Sequence, residues 1–215
     1  MVSAHWTIPR AFEGETVAVL ASGPSMSQAV ADAVRASGIP AIAVNTTFRL
    51  APWAWALYAA DSEWWQHRAN RDAWDFGGLK LSVDNDGSRP MASQGVLYVQ
   101  KQPETRFDIE AQGCVATFGN SGAQALQIAI KTGAARVLLC GFDMHLTSVA
   151  NHWHGKHPAG LRDTTAENYA NWVQRMDRAA PQMLRMTEIV NCTPGSALQG
   201  FPRGVLEEEL AACVH

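Results

Sequence analysis

The feature that most constrains this chain is a set of short, uninterrupted apolar runs alternating with segments of helical periodicity. The runs are Thr16 to Ala21 (TVAVLA), Ala41 to Val44 (AIAV), Ala54 to Ala60 (AWALYAA), Arg136 to Cys140 (RVLLC) and Glu188 to Cys192 (EIVNC). A strand with one wet face alternates polar and apolar residues, whereas a strand covered on both faces reads as a continuous apolar stretch. Between them, Met26 to Ser37 places Val30, Ala33 and Val34 on one helical face and stops at Gly38. Ser121 to Thr132 does the same with Ala125, Ile128 and Ala129, and stops at Gly133. Strand, helix, strand repeated in this way predicts an α/β fold: a Rossmann-like, doubly wound, mostly parallel sheet with helices on both faces.

The chain's 215 residues fit one such domain, so residues 1–215 are read as a single unit. The pattern weakens from Arg71 to Gln112, where turn formers are dense (Gly77-Gly78, Asp84-Asn85-Asp86-Gly87) around strand-like pieces at Leu79 to Val83 and Val96 to Gln100. This stretch, 71–112, is expected to be an irregular insertion, with a hairpin as one arrangement of its strands. Ser62 is the expected cap of a short helix carrying Trp64 and Trp65. A further helix is expected from Thr164, through a capping box of Thr164 and Glu167, with Tyr169, Trp172, Val173 and Met176 on one face. Leu206 to Cys213 reads as a terminal helix.

Hydrophobic residues make up 47% and charged ones 17%, which excludes the charge-rich disordered class. The net charge of -3 implies no basic face, so duplex nucleic acid is a poor partner. No stretch of about 20 residues is apolar enough to span a membrane. The opening MVSAHWTIPR lacks the basic start and apolar run of a secretory signal, so the expected setting is the cytoplasm, with no membrane partner. Four scattered cysteines without a CxxC pair argue against cysteine-bound zinc, and Cys140 and Cys192 read as small buried hydrophobes. A homo-oligomer is compatible with the chain.

In doubly wound sheets ligands bind at the carboxyl ends of the strands, where the strand order reverses. That edge should gather Ser22–Ser25, Asn45–Thr47, Asp61, Gly119–Gly122 and Gly141–His157. Ser22-Gly23-Pro24-Ser25 reads either as a helix start whose free amides hold a phosphate or as a tight turn that binds nothing. It matches neither GxGxxG nor the P-loop. Asn120, Ser121 and Gly122 carry the same two readings. Asn45, Asp61 and Asp143, each after a strand, suit sugar hydroxyls, a metal or a base role, and equally suit caps. The densest signal is His145, His152, His154 and His157, within thirteen residues. Such a cluster can hold a divalent metal, supply a general acid or base, or form a solvated loop. The tryptophans Trp53, Trp55, Trp64, Trp65 and Trp74 read as core and as an aromatic wall beside the pocket rather than as a nucleic-acid platform.

The ordered segments VAVLASGPSMS, AVNTTF, GNSGAQALQIAIKTGAARVLLCGFDMH, the histidine loop and IVNCTPGSAL resemble the bacterial CMP-sialic-acid-dependent sialyltransferases. They are equally similar to the archaeal 6-hydroxymethylpterin diphosphokinase (MptE-like) group and its small phage-encoded relatives. The likeness spans most of the chain outside 71–112. It implies a nucleotide-dependent, glycosyltransferase-like transferase that takes a nucleotide or nucleotide sugar. Gly23, Pro24, Ser25 and Asn45 would hold the nucleotide, and Ser121 and Gly122 would line the donor site. A loop histidine would be the base on an acceptor hydroxyl, ranked His157, His154, His152. Ser22 stands where that family commonly has Asn, and Met144 to Val149 lacks its tyrosines. The diphosphokinase branch implies ATP with Mg2+ held by Asp61 and Asp143. A non-catalytic nucleotide- or protein-binding module is the reading from another class.

Overall fold

A computed structural model of the chain describes residues 5–85, 87, 89–104, 108, 110–146, 152–161 and 163–213. Eight strands lie among them: β1 (Thr16–Leu20), β2 (Ala41–Val44), β3 (Ala56–Tyr58), β4 (Leu79–Asp84), β5 (Val96–Gln102), β6 (Cys114–Ala116), β7 (Arg136–Cys140) and β8 (Glu188–Asn191). They form one sheet in the order β6-β5-β4-β3-β2-β1-β7-β8. Every neighbouring pair is parallel. The helices are α1 (Gln28–Ala36), α2 (Ser62–Gln66), α3 (Ser121–Lys131), α4 (Ala166–Leu184) and α5 (Leu206–Ala211).

The continuous apolar runs have a direct structural cause. Along β1, Val17 and Val19 enter one core, with Leu126 and Ile128 of α3 and Met176 and Met183 of α4. Their neighbours Ala18 and Leu20 enter a second core on the other face, with Ala31 and Val34 of α1, Trp65 of α2 and Leu210 of α5. Each fully buried Val or Leu contributes roughly 1.5–3 kcal/mol of apolar transfer, so the doubly covered strands dominate the fold's stability. All eleven residues of α3 are buried, which makes it the central helix of its layer. Among the described residues no helix is long and apolar enough to cross a membrane.

Four sequence expectations need correction. The 71–112 stretch is not a hairpin: β4 and β5 are parallel, in register from Lys80↔Val96 to Asp84↔Gln100, and with β6 they extend the main sheet. Parallel neighbours require a return crossover, and the turn-rich segment between Asp84 and Val96 supplies it. The cap of α4 is Thr165 rather than Thr164. Its capping box closes with Asn168 rather than Glu167, the Asn168 side chain accepting the Thr165 amide at 3.1 Å. The helix after β1 starts at Gln28, capped by Ser27, so Ser22–Ser25 is not a helix start. Likewise Asp61, not Ser62, is the residue before α2.

From β1 the chain runs outward through β2 to β6. It then crosses by α3 to β7 on the other side of β1. The order therefore reverses between β1 and β7, and the crevice of such a sheet opens at their carboxyl ends.

Candidate functional site

A cleft of about 490 Å³ opens at that reversal. Of the residues singled out from sequence, Ser22, Gly23, Asn45, Asp61, Asn120, Ser121, Gly122, His152 and His157 border it. Pro24, Ser25, Asp143, His145 and His154 do not.

The exclusion of Ser25 and Asp143 is mutual. The Ser25 amide donates to Asp143 Oδ1 at 3.1 Å and its hydroxyl donates to Oδ2 at 2.8 Å. Asp143 is 5% exposed, and burial raises its pKa against the two Ser25 hydrogen bonds. Gly23 is needed here because a Cβ on it would stand 2.0 Å from Asp143 Oδ2 and 2.5 Å from the Gly141 carbonyl. Gly23 thus lets the backbone pass close to the turn after β7. Asp143, with each oxygen accepting a hydrogen bond from Ser25, is a strut between two turns.

The second turn is different. Asn120 caps α3, accepting the Ala123 amide at 2.8 Å, and Ser121 Oγ accepts the Ala60 amide at 3.1 Å. The first backbone amides of a helix have no intrahelical acceptor, and here Ser121 and Gly122, which carry two of them, border the cleft. Asn45, at the carboxyl end of β2, holds a left-handed backbone (φ 51) and a buried side-chain oxygen without a partner. A non-glycine residue held this way costs on the order of 1–3 kcal/mol, and such strain gathers at ligand sites.

The histidine loop closes over this edge. Its 147–151 portion and residue 162 lie outside the described residues. The Ser22 carbonyl accepts from the Trp153 amide at 3.2 Å and from His152 Nδ1 at 3.3 Å, and Trp153 Nε1 donates to Thr47 Oγ1. Three imidazoles pack together: His152 on His154 at 5.1 Å with rings 7° apart, His152 by His157 at 4.5 Å, and His154 by His157 at 5.6 Å. Burial, reinforced by the neighbouring imidazoles, lowers His152 and His154 to about 4. Burial also lowers His157, opposed by the carboxylates of Asp163 and Asp61. All three are therefore neutral at neutral pH, the form that accepts a proton. Among the described residues no group of three or more His, Cys, Asp or Glu is placed to hold a metal ion.

Sequence reasoning missed much of the far wall. Glu63, Asn85, Met144, Leu161, Asp163, Thr164, Asn168, Tyr169 and Trp172 also border the cleft. Tyr169 and Trp172, edge to face at 5.5 Å, lie on the helix face that the sequence periodicity marks out, but nothing in that periodicity points to a cleft. Of the clustered tryptophans, Trp64 reaches the cleft. Neither a protein-family model nor a curated protein matches the chain.

Proposed function

We propose that the protein is a nucleotide-dependent transferase, glycosyltransferase-like, in which His157 is the general base on an acceptor hydroxyl. One observation carries this reading: the α3 amides at Ser121 and Gly122, the strained Asn45 and the neutral imidazole of His157 border a single cleft. Amides at a helix start favour a phosphate or a departing phosphoryl group. Asn45 offers its amide to the base or sugar of the nucleotide. His157 borders the cleft and has the carboxylates of Asp163 and Asp61 beside it, which favour its protonated form. His152, tied to Ser22, fixes the loop, and His154 packs against it. The ordered motifs shared with the sialyltransferases support the same assignment of parts. The cleft volume falls within the range of small-molecule sites.

The test pairs binding with turnover. A panel of nucleotides, with and without Mg2+, is screened by thermal shift, where a ligand at a hundredfold its Kd adds about 2.7 kcal/mol. Nucleotide release from nucleotide sugars is then compared between wild type and His157→Ala. The expected result is unchanged nucleotide stabilisation with turnover reduced about a hundred- to ten-thousand-fold. Near-normal turnover removes His157 from the mechanism. Turnover strictly dependent on Mg2+ and ATP replaces the reading with pyrophosphoryl transfer.

A further inference from the structure

The first turns of α4 bring an aromatic wall to the cleft: Tyr169 and Trp172 border it, together with Asn168. Tyr169 is 8% exposed and its hydroxyl is hydrogen-bonded to Thr164, so it is committed to the protein. It meets Trp172 edge to face, the ring planes 82° apart, and so holds the indole in place. Trp172 itself is half-buried: it packs against the core and also borders the cleft. A large ring held by a second ring and left open to a cleft offers a stacking surface.

This wall is contiguous with the turn proposed to receive the phosphate. A Cβ on Gly119 would stand 2.9 Å from Trp172 Nε1 and 3.3 Å from its Cδ1, so the pyrrole edge of the indole lies against the backbone just ahead of α3. One turn further along α4, Met176 Sδ accepts from Asn120 Nδ2 at 3.9 Å. The indole is therefore packed against the same turn that leads into Ser121 and Gly122. Asn168 adds a polar group to the wall. Its Oδ1 accepts from the Thr165 amide at 3.1 Å and from the Thr165 hydroxyl at 2.9 Å, which leaves its Nδ2, a donor, for a ligand.

Resting on the transferase reading, we infer that Trp172 is the nucleobase platform of the donor site. The base stacks on the indole, the phosphate meets the α3 amides, and Asn168 Nδ2 donates to an acceptor on the nucleoside, with Asn45 left for the sugar. Stacking grips any base, because every base has a π-face. The wall therefore selects a nucleotide over a sugar phosphate that lacks a base.

Four nucleoside monophosphates (of adenine, guanine, cytosine and uracil) and ribose-5-phosphate, titrated into the full chain by ligand-detected NMR, test this. In wild type the nucleotides should bind about tenfold tighter than ribose-5-phosphate, the margin of one stacked base. Trp172→Leu should abolish that margin and leave ribose-5-phosphate affinity unchanged, whereas Trp172→Phe, which keeps a ring, should retain most of it. Thermal melting verifies that each variant is folded. The wild type supplies a second readout that needs no variant to fold: nuclear Overhauser contacts between the Trp172 ring and the base protons. A margin that survives Trp172→Leu, a loss shared equally by nucleotides and ribose-5-phosphate, or the absence of those contacts in a bound nucleotide overturns this inference alone. No binding of any nucleotide or of ribose-5-phosphate at millimolar concentration sinks the transferase reading and the inference with it.

Discussion

The turns Ser22-Gly23-Pro24-Ser25 and Gly119-Asn120-Ser121-Gly122 are spelled almost alike, and the fold treats them oppositely. The first borders the cleft at Ser22 and Gly23 but is largely engaged internally: Ser25 is bound twice by Asp143, Gly23 donates to the Gly141 carbonyl, and the Ser22 carbonyl anchors the histidine loop. The second uses its side chains as caps but brings its helix-start backbone to the cleft. A glycine- and serine-rich turn is therefore a candidate ligand site only when its donors are not already spoken for. That condition depends on residues 118 positions away, as between Ser25 and Asp143.

Alanine at the two glycines breaks the comparison most sharply. Gly23→Ala drives a Cβ into Asp143 and the immovable Gly141 carbonyl, and should cost about 3 kcal/mol or more in urea unfolding. Gly122→Ala meets the Phe142 ring edge at 3.0 Å but gains helix propensity, so its net effect should stay within about 1 kcal/mol. Equal losses at both sites would show that the turns do not differ as described.

Acid comes next. His152 and His154 titrate near 4 when folded and near their ordinary value of 6.5 when unfolded. Between those limits the unfolded chain binds more protons. Stability is therefore full above about pH 6.5 and is lost as pH falls toward 4, on the order of 3 kcal/mol for each imidazole. Melting across that range checks it, and His154→Gln should flatten the slope. A flat profile for wild type would contradict the packed imidazole cluster.

The smallest effect concerns the base itself. Asp163 is the largest influence holding the His157 pKa up against burial. In Asp163→Asn the acid limb of the rate profile should move to lower pH, and movement to higher pH would deny the pairing.

Much of this was legible in the sequence because burial on both faces writes itself as unbroken apolar runs, as in β1, β2 and β7. The flank was not legible. Lys80 and Ser82 interrupt β4, and Gln100, Lys101 and Gln102 end β5 in polar residues, so parallel strands looked like an irregular excursion. In the site, the histidines and Asn45 stood out by type and position. Asp163, Asn168, Tyr169 and Trp172 did not, because the start of α4 and the segment before it reach the cleft only once the sheet is assembled.

The account is tested most directly by amide proton–nitrogen correlation spectra recorded while nucleoside mono- and diphosphates are titrated in. Saturable shifts at Asn45, Ser121 and Gly122, with the Ser25 amide held still by Asp143, are the predicted result. Shifts centred on Ser25 that leave Ser121 and Gly122 unmoved, or no response to any nucleotide, would contradict it.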